Sequence, residues 1–206
     1  MKITLQNIGK RYNREWIFKK VDTELSSDHS YVILGSNGSG KSTLLQLLSG
    51  YIIPSEGTIN YQVNGNEISP ETIFKQVSIA TPYQELFEDF TLIETLQLHG
   101  KFKSIDPELN FDTIADLFQL EKAKNKAIKN YSSGMKQRVK LGLAFISETP
   151  LLLLDEPTSN LDKKGIDWYL EMVNRFKKDK LVVVCSNQQE QEYAFCDQQI
   201  DIENYK

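Results

Sequence analysis

One octapeptide constrains this chain more than any other feature. Gly35-Ser36-Asn37-Gly38-Ser39-Gly40-Lys41-Ser42 fits G-x-x-x-x-G-K-[ST] at every defined position. The apolar run Tyr31–Leu34 before it reads as a short strand, and Leu44, Leu45, Leu47 and Leu48 after it fit a buried helix that Gly50 can close. Strand, glycine-rich turn and helix together dictate an α/β unit whose turn is a phosphate cradle. Glycines let successive backbone N–H groups face inward around phosphate oxygens, and the helix N-terminus adds the positive end of its dipole. Residues Gly35 to Ser42, with Thr43 next in the helix, are therefore the expected nucleotide contacts. Lys41 is expected to reach the β- and γ-phosphates, and the Ser42 hydroxyl to ligate Mg²⁺.

A second pattern supplies what a phosphate cradle lacks. Leu151-Leu152-Leu153-Leu154 is an unbroken apolar run suited to a parallel strand buried on both faces, and Asp155-Glu156 emerges at its C-terminal end. Beside the cradle, Asp155 is placed to hold Mg²⁺ through water and Glu156 to polarise an attacking water. No N-K-x-D sequence reads guanine, since Asn125-Lys126 is followed by Ala127-Ile128, so ATP is favoured over GTP.

Strand signals also occupy Met1–Leu5, Thr58–Val63 with an Asn64-Gly65 reversal, and Leu181–Cys185. Thr91 followed by Glu94 is a capping-box pattern opening a helix to about Phe102. Phe111–Leu120, Met135–Ser147 and Lys164–Phe176 also read as helices, the last a crossover between parallel strands. The predicted fold class is α/β: a mostly parallel core sheet (about residues 1–84 and 146–206), an N-terminal antiparallel portion, and a helical subdomain inserted at about 85–145.

The 206 residues suffice for one domain, and 40% hydrophobic with 25% charged residues is an ordinary globular balance. A net charge of −4 gives no general attraction to nucleic acid. Neither Cys185 nor Cys196 has metal-site spacing, and Cys185 reads as a small buried hydrophobe. His29 and His99 are expected to face solvent. No run of about 18 apolar residues could span a bilayer, and no signal peptide precedes the first apolar run, so a cytosolic location is expected and membrane spans would come from other chains.

Taken together, the motifs resemble the ABC ATPase family over nearly the whole chain. Tyr131-Ser132-Ser133-Gly134-Met135-Lys136-Gln137-Arg138 resembles the family's signature L-S-G-G-Q-x-Q-R at Ser132, Gly134, Gln137 and Arg138 and departs at Tyr131, Ser133 and Met135. The resemblance implies that Ser132, Ser133 and Gly134 serve the nucleotide of a second copy. Ser159-Asn160-Leu161-Asp162 resembles the loop S-A-L-D that crosses the dimer interface, which assigns Asp162 to the same site in trans. Tyr12 stands where the family's adenine-stacking aromatic is expected, with Trp16 as its rival.

Two positions depart from the family. Aligned on Leu86-Phe87, its Mg²⁺-ligating glutamine would fall on Pro82, and Gln84 lies two residues later, either as the ligand on a rearranged loop or as a surface residue. Asn187 stands where a switch histidine should follow the strand Leu181–Cys185. An amide can donate to phosphate but cannot carry positive charge, so hydrolysis is expected to be slow.

What the resemblance implies is an ATP- and Mg²⁺-dependent motor subunit, peripheral on the cytoplasmic face of a membrane. It would pair with itself or a paralogous ATPase subunit and drive separate transmembrane subunits. The alternatives are an ATPase of nucleic acid or the ribosome, which the single cassette and acidic charge disfavour, and a regulator that binds ATP and barely hydrolyses it.

Overall fold

The computed structural model describes residues 1–206. Strands β1 (Lys2–Tyr12) and β2 (Glu15–Ser26) form a hairpin, and β3 (Ser30–Leu34) runs into the glycine-rich turn and α1 (Lys41–Leu48). Strands β4 (Glu56–Val63) and β5 (Asn66–Ile68) meet across Asn64 and Gly65, whose φ values of 52° and 80° are those of a tight hairpin reversal. After β6 (Val77–Ala80) come α2 (Leu92–His99), α3 (Phe111–Leu117) and α4 (Ser133–Ile146). The chain then returns through β7 (Leu151–Asp155), α5 (Lys163–Phe176), β8 (Leu181–Ser186), α6 (Glu190–Tyr193) and β9 (Gln198–Asp201).

These strands make two sheets, an antiparallel one in the order β2-β1-β4-β5 and a parallel one in the order β6-β7-β8-β3-β9. The fold is thus α/β with an N-terminal antiparallel portion. Because side chains alternate across a strand, the parallel sheet feeds a core on each face. Leu152, Leu154, Val182 and Val184 join the helical cluster containing Phe118, Phe145, Trp168 and Tyr169. Leu151, Leu153, Leu181, Val183 and Cys185 join α1 and the antiparallel sheet through Leu44, Leu48, Ile3, Leu5 and Tyr61. Double-sided burial explains why β7 and β8 are continuous apolar runs. Cys185 is fully buried and neither cysteine forms a disulfide.

Helix α2 opens on the expected capping box: Thr91 Oγ1 accepts from Glu94 N at 3.2 Å, and Glu94 Oε2 accepts from Thr91 N at 2.7 Å. It stops at His99 rather than near Phe102, because the chain turns to bring Ile105 beside Ser147, leaving Phe102 77% exposed. Helix α3 likewise ends before Leu120, at a left-handed Gln119 with φ 56°.

His99 does not face solvent as expected. Its Nε2 lies 2.8 Å from Ser147 Oγ, where α2 meets the end of α4. Burial, reinforced by the Lys103 ammonium, pushes its pKa from 6.5 to about 4. The unfolded chain therefore takes up a proton below about pH 6.5 that the folded chain refuses until about pH 4. Stability attached to this group is complete above pH 6.5 and is lost as pH falls through that window, by up to about 3 kcal/mol at roughly 1.4 kcal/mol per unit. His99→Gln, which keeps an amide beside Ser147, should flatten the dependence. Urea midpoints of both proteins at about pH 7 and pH 4.5 check this, since equal losses in the two would acquit His99.

Candidate functional site

Register in the parallel sheet aligns the chemically loaded positions. Ala80 pairs Leu154, Asp155 pairs Cys185, and Leu34 pairs both Ser186 and Asp201. The glycine-rich turn, Glu156, Asn187 and the Thr81–Leu86 loop therefore leave from one edge, at the carboxyl ends of the strands, where open α/β sheets bind ligands.

The turn is built to bring backbone close. A Cβ on Gly35 (φ 153°) would lie 2.6 Å from Ile202 Cγ2. On Gly40 (φ 107°) it would lie 2.6 Å from Ile17 Cγ2, so both positions exclude a side chain. Lys41 is 5% exposed and its Nζ donates to the carbonyls of Gly35 (2.9 Å) and Ser36 (3.0 Å), folded back across its own loop. Ser39 Oγ is buried with no hydrogen-bond partner, an orphan inside the cradle. From outside, Glu203 Oε1 accepts from Ser36 N (3.1 Å) and Ser36 Oγ (2.6 Å), a fastening that no motif announced.

Asp155 ends β7 at 3% exposure, and burial pushes its carboxyl up, with Glu156 adding to the effect. The Ser42 hydroxyl, through a hydrogen bond, and the Lys41 ammonium, through its charge, pull it back down. A buried carboxylate beside a hydroxyl is a hard-oxygen donor set that suits Mg²⁺, and such an ion would reverse the upward push. Glu156 sits in the left-handed region at φ 44°, held there by its N–H to Cys185 O at 2.9 Å. A non-glycine residue so placed costs about 1–3 kcal/mol, strain of the kind found where a side chain must be aimed.

Glu156 and Asn187 line one cavity of about 300 Å³. The Asn187 side chain is exposed and makes no hydrogen bond within the chain. The turn after β8 is capped instead by Ser186, whose Oγ accepts from Gln189 N at 3.1 Å.

Ser132 caps α4, its hydroxyl accepting from Met135 N at 3.3 Å, and Ser132 and Ser133 are exposed. Ser132, Ser133 and Gly134 line a groove of about 740 Å³ together with Asn160, Leu161 and Asp162. Two of the signature-like positions, Gln137 and Gly134, meet the loop that follows Glu156, while Arg138 donates to Gln119 Oε1 at 2.5 Å. Gln137 Nε2 donates to Pro157 O at 3.0 Å, and a Cβ on Gly134 would stand 3.0 Å from Asn160 O. Asp162 caps α5 by accepting from Gly165 N at 2.8 Å.

Gln84 lines a different groove, of about 730 Å³, with Ser133, Gln137 and Lys140, which includes neither Ser42 nor Asp155. Its Oε1 is buried without a partner. Of the two candidate aromatics on the β1–β2 hairpin, Trp16 is half-buried with Arg11 (5.3 Å) and Lys19 (4.6 Å) over its ring, while Tyr12 is 47% exposed under Lys10 alone. Tyr12 has the freer face for a base.

Comparison with known proteins agrees with this geometry. Residues 18–159, more than half of the chain, match the family described as ABC transporter. The uncharacterized ABC transporter ATP-binding protein YybJ of Bacillus subtilis (strain 168) is 28% identical over 197 residues, covering 95% of this chain and 89% of that protein. The lantibiotic transport ATP-binding protein SrtF of Streptococcus pyogenes is 29% identical over 190 residues, covering 90% and 79%. Among solved structures, a dimeric ATP-binding cassette in a post-hydrolysis state with ADP and phosphate superposes with a TM-score of 0.81 at 22% identity, over 97% of this chain and 93% of that one. With that family matched over more than half of this chain and relatives that are ABC transporter ATP-binding proteins, this chain belongs to the ABC transporter family as an ATP-binding subunit.

Proposed function

We propose that the chain is the ATP-hydrolysing motor of a membrane transporter, working as a dimer that closes over two ATP molecules. The observation that carries the proposal is the register that brings Lys41, Asp155, Glu156 and Asn187 to one sheet edge. In this reading residues 1–206 form one ATPase domain, with about 85–145 as its helical subdomain. The dimer is supported by the exposed Ser132 and Ser133 beside Asp162, groups that serve no ligand within their own chain, and by the dimeric cassette sharing this fold. The partner copy is identical or a paralogous ATPase subunit. No helix is long and apolar enough to cross a membrane, so we assign the spans to separate transmembrane subunits and place the motor peripherally on the cytoplasmic face, without a nucleic-acid partner.

On ATP binding, Gly35, Ser36, Asn37, Gly38, Ser39, Gly40, Ser42 and Thr43 surround the phosphates, and Tyr12 stacks on adenine. Lys41 exchanges its own loop carbonyls for phosphate oxygens, a charge-assisted contact stronger than the pair it leaves. Ser42 and Asp155 would hold Mg²⁺, which when bound neutralises charge on the β- and γ-phosphates. Gln84 would join them only through movement of its loop. Glu156 accepts a proton from water as the water oxygen bonds to the γ-phosphorus. The bond from that phosphorus to the β–γ bridging oxygen breaks, and its electron pair leaves with ADP. The Asn187 amide donates to the γ-phosphate, while Ser132, Ser133, Gly134 and Asp162 of the second copy complete the site.

Glu156→Gln should bind ATP yet hydrolyse it roughly 10²–10⁴ times slower, the cost of losing a general base. ATP trapped in this variant should hold the dimer closed. Size exclusion with light scattering reads the outcome, and a variant that remains monomeric with ATP at high concentration would sink the sandwich.

Asn187→His should raise turnover about tenfold, or roughly 1.4 kcal/mol, by placing a group able to carry positive charge beside the developing phosphate charge. Asn187→Ala should lower it by a similar order. Since an amide does not titrate where imidazole does, only the histidine variant should add an ionisation to the pH–rate profile between about pH 5 and 8. Rates per folded dimer within about twofold of wild type for both variants would remove Asn187 from the reaction.

A further inference from the structure

The most deeply buried acid outside the nucleotide site is Glu192 on α6, 2% exposed, and no lysine or arginine pairs with it. Its carboxylate is held by hydrogen bonds alone. Oε1 accepts from Thr158 N (3.0 Å) and Thr158 Oγ1 (2.7 Å), and Oε2 accepts from Ser186 Oγ (2.5 Å). The backbone of the same residue is pinned from the opposite side, where Glu192 O accepts from Tyr169 OH at 2.7 Å.

Burying a carboxylate without a cation is costly, and that cost is tolerated where hydrogen bonds satisfy the oxygens. Here the satisfying groups are all on two segments. Thr158 follows Glu156 by two residues, and Ser186 immediately precedes Asn187. Glu192 lines the cavity that Glu156 and Asn187 share. Ser186 Oγ relays the fastening to the turn by accepting from Gln189 N at 3.1 Å. A single carboxylate therefore ties the loop carrying the base to the strand end carrying the phosphate donor.

We propose that Glu192 is a positioning residue that fixes the separation of Glu156 and Asn187, an assignment resting on the ATPase roles given above. A misplacement on the order of 1 Å in such a pair costs up to about 10²-fold in rate. Glu192→Ala strips Thr158 and Ser186 of their acceptor and frees both segments. Glu192→Gln keeps an oxygen for Thr158 and an NH₂ that Ser186 Oγ can accept, so the tie survives with one bond reversed.

Two readings on the full-length protein test this. Without nucleotide, hydrogen exchange at the amides of Thr158 and Gln189 should rise in Glu192→Ala and stay near wild type in Glu192→Gln. With MgATP, turnover per folded dimer should fall roughly 10- to 100-fold in the alanine variant, with ATP affinity within about threefold, and the glutamine variant should recover most of the rate. In a cycle with Asn187→Ala, the double variant should be no more than about threefold slower than the slower single one, because a detached donor has little left to lose. If Glu192→Ala is too unstable to assay, Glu192→Asp, withdrawn by one methylene, must show the same rate loss at wild-type ATP affinity. Unchanged exchange in the alanine variant overturns the tie whatever the chain does with ATP. Raised exchange with turnover within about twofold, in a protein that Glu156→Gln still inactivates, overturns the positioning role and leaves the ATPase assignment standing.

Discussion

Everything at the site depends on parallel pairing of β3, β7 and β8 with both faces covered. The pairing sets Leu34 opposite Ser186 and Asp155 opposite Cys185, so the segments that follow these strands begin within one residue of each other. Such a sheet cannot exist as a free layer. Its strands are held by apolar contacts on two sides, with Leu152 and Val182 packed against the helices and Leu153 and Val183 against α1 and the antiparallel sheet. A one-residue slip of β7 against β8 would exchange those faces and also move Asp155 away from Ser42. Packing energy thus sets the geometry of the polar groups, which do little to stabilise the fold themselves.

The polar groups are held in tension with their surroundings. Asp155 is buried with its carboxyl pushed up, Glu156 is strained at φ 44°, and Ser39 Oγ lacks a partner. Each is unfavourable for the folded chain alone, and in the proposed complex a polyanion with a divalent cation would relieve the first and the last. There the phosphates would supply acceptors for Lys41 and Ser39, and positive charge would favour the ionised Asp155.

Most of this was legible because the motifs carry their own context. Gly35 and Gly40 announce a backbone that no other residue could follow, and the four leucines before Asp155 require a doubly buried strand. Less visible were β2, β6 and β9. Strand β2 alternates only partly, with Glu15, Lys19 and Lys20 on its open side, and the four-residue β6 and β9 are too short for periodicity to register. His99 is turned inward by its contact with Ser147, distant in sequence, which no local pattern records. Glu192 was hidden for the converse reason. In Gln188-Gln189-Glu190-Gln191-Glu192 an acid reads as solvated, and only the return of Thr158 and Ser186 to the same point turns it inward.

The signature-like segment shows why departures from a family pattern need not be defects. Three of its four matched residues divide by the direction they face, the fourth, Arg138, being bonded to Gln119. Gln137 and Gly134 look inward, one bonded to Pro157 and the other pressed against Asn160, so they join α4 to the loop that follows Glu156. Ser132 looks outward from the helix N-terminus, where free N–H groups and the dipole favour an anion. The departures at Ser133 and Met135 fall on neither contact. Serine at 133 still offers a backbone N–H in the first turn, and Met135, packed against the helical core, contributes its N–H to the Ser132 cap. The inward clasp thus rests on two retained residues, the Gln137 side chain and Gly134, while the outward donor array rests on main-chain N–H groups that the departures at Ser133 and Met135 leave in place.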